Sequence, residues 1–295
     1  MSQIKTIRGC PACNTHDGRN LGEKNGFDII VCGACKSLYT DRVPVATESE
    51  NYDEYYGESN LSVPNFILKR LAEIIGEFEG SRKANRLLDV GFGAGTMLEV
   101  AKDMGWVVSG IEVSRPAAEQ ARERGFDVFL GGLRDAKYPD NHFDVVTASE
   151  ILEHMPEPVA DLKEIVRILR PGGLFWATTP HANGLSFKIL KLDWSVMSPP
   201  EHIQLYSKAG TRKMLKEAGF NSINLQTHGL NPSEIRDHFT TKRADDESFD
   251  RVNTSYALNE SFTKSPIRKT VKSVLNGVLN ISSAGDSLKI WARKN

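Results

Sequence analysis

The sequence predicts an α/β protein: a doubly wound sheet with a zinc ribbon at the N-terminus and an inserted cap near the C-terminus. Three observations carry this. Short apolar runs ending at glycine alternate with amphipathic helical stretches between residues 84 and 180. The only four cysteines form C-x2-C-x18-C-x2-C. A long polar segment separates the last two predicted strands, 220–230 and 286–295.

Residues 1–42 are expected to form the ribbon. Cys10, Cys13, Cys32 and Cys35 supply four thiolates, which complete the tetrahedral shell of one Zn²⁺. A closed shell leaves no position for water or substrate, so the zinc is expected to be structural. Residues 43–82 read as a linker or lid followed by a helix. The lid portion is acidic, is punctuated by Pro44 and Pro64, and clusters Tyr52, Tyr55 and Tyr56. It is either a surface crossing or a flap over a ligand; in the second case Tyr55 and Tyr56 touch substrate. Phe66, Ile67, Leu71, Ile74, Ile75 and Phe78 then give the helix its apolar stripe.

Residues 83–230 hold the alternating core. "RLLDVGFG" reads as a buried strand, "TMLEVAKDMG" as a helix and "WVVSGIEV" as a strand. "SRPAAEQARERG" is a helix with Ser114 at its N-cap, Pro116 in its first turn and Gly125 at its end. "FDVFLGG" and "FDVVTAS" are strands, "PVADLKEIVRILRPGG" a helix and "LFWATTP" a strand; "SKAGTRKMLKEAG" and "FNSINLQTHGL" close the region as helix and strand. Residues 231–284 form the insertion, and 285–295 the final strand.

Composition narrows the function. A net charge of −1 provides no global field for nucleic acid, so no nucleic-acid partner is expected. No apolar run approaches the roughly 18 residues of a membrane span. The first residues lack the apolar core of a signal peptide, so a cytoplasmic location is expected. In that reducing compartment paired C-x2-C units read as metal ligands before disulfides.

Gly91, Gly93 and Gly95 lie between a predicted strand and a predicted helix, where the backbone can approach a ligand near unpaired amides. No Lys-Ser or Lys-Thr follows, which rejects a P-loop. The spacing G-x-G-x-G departs from the dinucleotide fingerprint, and Asp89 would repel a pyrophosphate. Glu112 ends the next strand, where a carboxylate can accept two ribose hydroxyls. A ligand with an ammonium and a ribose but no phosphate fits this set.

"LLDVGFGAGTMLEVAKDMGWVVSGIEVS", "FDVVTASEILEHMPEP" and "ILRPGGLFWATTP" resemble the motifs of class I S-adenosylmethionine-dependent methyltransferases. The likeness is to small-molecule enzymes of the ubiquinone-biosynthesis O-methyltransferase type and their sugar-modifying relatives, some with an N-terminal zinc module, and covers about residues 84–230. The resemblance implies a Rossmann-like sheet of seven strands with the last antiparallel. It also implies S-adenosyl-L-methionine as cofactor: Gly91, Phe92, Gly93 and Gly95 against its methionine part, Asp89 near the ammonium, Glu112 and Val113 at the ribose. Gly132 and Leu133 would flank the adenine, although the acidic residue of many relatives is missing there; Ser149 and Glu150 would border the methyl group.

A hydroxyl acceptor benefits from a base titrating near neutrality, which points to histidine. His202, His154 and His181 fall at or just past the carboxyl ends of strands and are the candidates, with Tyr206 beside His202 in the acceptor wall. Their alternative is a structural histidine capping a loop. Glu150, Glu153 and His154 offer a less favoured reading as a Mg²⁺ site. His16, His142, His228 and His238 receive no role.

The C-terminal helix, with Val271, Val274, Leu275, Val278 and Leu279 opposite Arg268, Lys269 and Lys272, is expected to pack on its own domain rather than on a membrane surface. The two accessory modules lead to an expected acceptor that is a hydroxyl of a sugar or sugar-linked metabolite. A quinone-type phenol O-methyltransferase, an RNA methyltransferase using the ribbon, and a cofactor-binding protein without turnover are the alternatives.

Overall fold

The alternating pattern folds as one twisted sheet between two helical layers. The computed structural model describes residues 8–44, 65–240 and 266–295; Tyr55, Tyr56 and most of the predicted lid lie outside the described residues. The ribbon contributes β1 (Gly18–Lys24), β2 (Phe27–Cys32) and β3 (Leu38–Thr40). There follow α1 (Asn65–Gly76), β4 (Arg86–Val90), α2 (Thr96–Asp103), β5 (Val107–Glu112), α3 (Arg115–Glu123), β6 (Asp127–Leu130) and β7 (Phe143–Ser149). The second half holds α4 (Pro158–Ile168), β8 (Leu169–Pro180), α5 (Leu185–Leu190), β9 (Gln204–Leu205), α6 (Lys208–Ala218) and β10 (Ser222–His228). The last elements are α7 (Pro232–Phe239), α8 (Pro266–Ile281) and β11 (Ser287–Arg293).

The seven-stranded sheet has the order β10-β11-β8-β7-β4-β5-β6. β11 runs antiparallel to both β8 and β10, and the strands from β8 to β6 pair parallel. This is the topology that the sequence resemblance implies. Alternate side chains of each strand enter opposite layers. Leu88, Val146 and Phe175 pack with Leu162 and Ile165 of α4 and Met214 of α6. Leu87, Val145 and Leu174 pack with Ile75 of α1 and Leu98 of α2. Strands buried on both faces need the continuous apolar runs found in the sequence.

Three local expectations change. The helix expected to reach Gly173 ends at Ile168, because Pro171 cannot continue it and holds Arg170 extended; Leu169 pairs instead with Phe143. Ser114 sits at the N-cap of α3, but its hydroxyl has no hydrogen-bond partner, and its own N–H donates to Glu112 Oε1 at 3.0 Å. α8 packs on its own domain, as expected, but lies on β10 through Leu279 and two asparagines, with Val271, Val274, Leu275 and Val278 of its apolar stripe left exposed. Asn280 Oδ1 accepts from Thr227 N–H at 3.0 Å and Asn276 Oδ1 from Gly229 N–H at 3.1 Å. β10 is an edge strand whose free amides need acceptors, and Val274 is left 62% exposed. Among the described residues, no helix is long and apolar enough to cross a membrane.

The ribbon is stitched to the segment that follows β8. β9 joins β1, β2 and β3 as the fourth strand of a small sheet. The Arg8 guanidinium donates to the carbonyls of Thr40 (2.9 Å) and Ile203 (2.8 Å), Lys24 Nζ to that of Trp194 (2.9 Å), and Ser207 N–H to Ser37 Oγ (3.1 Å). His202 lies inside this braced segment.

Candidate active site

Between β4 and α2 the chain turns through Gly91, Gly93 and Gly95, whose φ angles are 69°, 53° and 71°. A side chain at Gly91 would be strained by that angle, and its Cβ would come within 2.1 Å of Ile151 Cδ1. The Glu112 carboxylate ties this loop to the end of β5, accepting from the N–H groups of Gly93 (2.9 Å), Val113 (2.8 Å) and Ser114 (3.0 Å). Gly91, Glu112, Val113, Gly132, Leu133 and His154 line one cavity of about 500 Å³.

Other residues expected at the cofactor lie outside that lining. Asp89 is 4% exposed and accepts from the Thr147 hydroxyl at 2.6 Å. Burial pushes its carboxyl up to about 7, a shift the Thr147 bond opposes and the charge of Glu112 adds to. Phe92 belongs to the buried layer under α1 and α2. The Ser149 and Thr178 hydroxyls bond each other at 2.9 Å. Glu150 follows β7 with a left-handed φ of 55°, a strained conformation for a non-glycine residue, and lines a second cavity.

This second cavity, about 430 Å³, is walled by Pro180, Trp194, Val196, His202, Leu230 and Leu279 among others. The two cavities meet at a histidine pair: His154 lines the first and His202 the second, with ring centroids 4.7 Å apart in an edge-on arrangement. His154 Nδ1 donates to the Glu201 carbonyl at 2.9 Å and His202 Nδ1 to the Val196 carbonyl at 2.6 Å. Carbonyl acceptors hold the proton on Nδ1, which leaves each Nε2 as the basic nitrogen. Desolvation, and then the neighbouring His202, lowers His154 to about 3.

His181 and Tyr206 stand apart from both cavities. His181 is 1% exposed, its Nδ1 donates to the Gly285 carbonyl at 2.9 Å, and burial lowers it to about 4. Tyr206 is fully buried with its hydroxyl on the Leu152 carbonyl at 3.1 Å, so it braces the core instead of the acceptor wall.

Glu153 is fully buried. Its Oε2 accepts from the Thr179 hydroxyl at 2.9 Å while its Oε1 has no partner, and burial followed by the charge of Glu150 raises its pKa. Ligand atoms of Glu153, His154 and His202 lie within 4.8 Å of one another. Two imidazoles with one carboxylate suit a borderline cation better than the all-oxygen shell Mg²⁺ favours, and Glu150, expected in that set, is not part of the group.

The four cysteines form a second group within the same limit. Sγ atoms of Cys10 and Cys35, and of Cys13 and Cys32, are each 3.6 Å apart. A tetrahedral zinc with bonds of about 2.3 Å needs edges of about 3.8 Å, so the donor set fits the ion.

A family model described as a methyltransferase domain matches residues 62–225, more than half of the chain. The chain is 31% identical over 160 residues to a ubiquinone biosynthesis O-methyltransferase of Thiobacillus denitrificans, spanning 50% of this chain and 69% of that protein. It is 33% identical over 135 residues to the 27-O-demethylrifamycin SV methyltransferase of Amycolatopsis mediterranei, which covers 42% of this chain and 49% of the other. Among solved structures, a SAM dependent methyltransferase from Archaeoglobus fulgidus superposes with a TM-score of 0.53 at 18% identity, covering 84% of this chain and 100% of the other. At that identity the likeness speaks to the fold alone.

Proposed function

This chain belongs to the class I S-adenosylmethionine-dependent methyltransferases, and we propose that it methylates a hydroxyl of a small phenol- or catechol-type acceptor. The observation that carries the reading is the meeting of two cavities at His154 and His202. In it, Gly91, Glu112, Val113, Gly132 and Leu133 would hold the cofactor in the cavity that His154 also lines. The acceptor lies between Trp194, Val196 and Leu279. When bound, S-adenosylmethionine would supply an activated methyl group to the acceptor's hydroxyl, and His202 Nε2 would take the hydroxyl proton. The leaving group is activated before binding, so alignment supplies much of the acceleration.

The accessory modules suggested a sugar acceptor. The quinone-type alternative is better supported, since the relative from Thiobacillus denitrificans is by name a ubiquinone biosynthesis O-methyltransferase. Trp194, Val196, Leu230 and Leu279 also give part of a mixed wall an apolar face that suits an aromatic ring. In the same reading the four cysteines hold a structural Zn²⁺, and the ribbon keeps the His202 segment in place.

The test is incubation of the purified chain with S-adenosylmethionine and either catechol or a panel of sugars, with S-adenosylhomocysteine and methylated product quantified by mass spectrometry. Methylated catechol is expected. Product from a sugar and none from any phenol would overturn the acceptor assignment. A divalent cation at Glu153, His154 and His202 is the second reading, favoured by the proximity of their ligand atoms. Loss of turnover on chelation, restored by Mn²⁺ or Zn²⁺, would favour it over a histidine base acting without metal.

A further inference from the structure

The 150–157 segment, which carries His154, lies between β7 and α4 and forms neither helix nor strand. Its shape therefore depends on bonds to its surroundings. Those bonds run to the 201–206 segment, which carries His202. The Ile203 N–H donates to the Glu153 carbonyl at 3.2 Å, the Tyr206 hydroxyl to the Leu152 carbonyl at 3.1 Å, and His154 itself to the Glu201 carbonyl. Gln204, fully buried in β9, completes the set: its Nε2 donates to the carbonyls of Leu152 (3.2 Å) and Met155.

The other end of the same amide faces the ribbon. Arg8 Nη2 donates to Gln204 Oε1 at 3.2 Å and to the Ile203 carbonyl at 2.8 Å, while its Nε donates to the Thr40 carbonyl at 2.9 Å. A guanidinium can only donate and a carbonyl can only accept, so these neighbours admit one orientation of the amide. Both hydrogens of Nε2 and the oxygen opposite are then in use. An ionised glutamate would keep the acceptor and lose both donors, and methionine would lose all three. Leu152 and Met155 bracket His154, which lines the first cavity, and Gln204 stands two residues from His202, which lines the second.

We propose that Gln204 is a positioning residue for the histidine pair: one buried amide locks the His154 loop to the strand just after His202, and Arg8 of the ribbon sets the direction in which that amide faces. The ribbon thereby acts on both histidines through Arg8 and Gln204. Only the expected effect on turnover rests on the methyltransferase reading; the placement of the two rings does not.

The test uses the full chain and three variants. Gln204→Glu keeps an acceptor for Arg8 and removes both donors, Gln204→Met removes all three bonds, and Arg8→Ala removes the orienting donor. Long-range proton–nitrogen correlation spectra of the imidazoles, assigned with His154→Gln and His202→Gln, read the rings directly. The His154 and His202 signals are expected to shift in both Gln204 variants. In Arg8→Ala they should also shift, and return when millimolar guanidinium is added. With catechol as acceptor, kcat in the Gln204 variants should fall by roughly 10- to 100-fold, as for a reacting group misplaced by about an ångström, while KM changes by less than about threefold. Arg8→Ala should lose roughly three- to tenfold in kcat, and guanidinium should restore it.

A residue that only supported the fold would lose activity in step with melting temperature and gain nothing from guanidinium. Gln204→Glu separates the two roles, because its contact to Arg8 should hold the melting temperature within a few degrees of wild type while turnover drops. Imidazole signals unchanged in the folded variants would overturn the positioning role, as would turnover that follows melting temperature alone. If the Gln204 variants fail to fold, Arg8→Ala and its rescue decide by the same criteria. If the wild type methylates no acceptor, the methyltransferase reading fails, and the imidazole spectra alone decide the role of Gln204.

Discussion

The first cavity is assembled from loops that follow β4, β5, β6 and β7, all between Val90 and Asp161, whereas the second draws Arg70, Trp194, His228, Lys272 and Asp286 from across the chain. On the proposed reading, the difference reflects what each recognises. A cofactor with fixed chemistry can be met by backbone amides and one carboxylate at short spacing, so its site is written as contiguous motifs. An acceptor is met by walls whose residues share no sequence neighbourhood, and only folding brings them together. The ribbon belongs with the second region, since its hydrogen bonds reach the 194–207 segment.

Substitutions should therefore separate into two classes. The largest effect is expected for His202→Ala: turnover falls by roughly 10²- to 10⁴-fold, as for loss of a general base, while S-adenosylhomocysteine affinity holds within about threefold. Steady-state kinetics beside calorimetry read both quantities, and parallel losses would erase the boundary between the cavities. Glu112→Ala comes next and acts in the opposite sense. It removes the proposed ribose contact and a carboxylate that accepts three backbone N–H bonds at the glycine loop, so cofactor affinity should drop by about 100-fold, the size of one lost hydrogen bond to a charged group. Unchanged affinity would remove Glu112 from the cofactor site.

Cys32→Ser should lose the zinc, seen by elemental analysis, and lower turnover by roughly tenfold with little change in cofactor affinity, because the ribbon braces the His202 side. A loss confined to cofactor affinity would assign the ribbon to the other region. The smallest effect concerns Asp89. Its carboxyl titrates near 7 in the fold and near the ordinary value of about 3.9 when unfolded, so the folded state keeps a proton that the unfolded chain has already released. Stability is therefore highest below about pH 4 and declines as pH rises toward 7. The melting temperature should fall by a few degrees across that window. Asp89→Asn, which keeps an oxygen for Thr147, should flatten the decline; an unaltered slope would place the titration elsewhere.

What could be read in advance follows the same division. The glycine turn and the grouping of the four cysteines were legible because positive φ angles favour glycine and paired C-x2-C spacing brings thiols together. The strand order beyond simple alternation came from family resemblance, since periodicity alone does not reveal the antiparallel β11. His154 and His202 were candidates by position, but their edge-on contact needed the fold. Tyr206 and His181 were misjudged: their neighbours in sequence reach the site while their own side chains point into the core. His228 received no role and Lys272 was read only as part of the polar face of its helix, because Arg70, Lys272 and Lys289 come together only when α1, α8 and β11 are assembled. The strained Glu150 carried no sequence signal, because glutamate does not advertise a positive φ.

The central claim is that cofactor and acceptor occupy separate cavities joined at the histidine pair. A crystal structure of the full chain with S-adenosylhomocysteine tests it most directly. The account predicts the ribose hydroxyls on Glu112, the adenine between Gly132 and Leu133, and the sulfur facing His154 and His202 with the second cavity open beyond it. S-adenosylhomocysteine seated among Trp194, Arg70 and Lys272, or bound in the first cavity with its sulfur turned from the histidines, would contradict it.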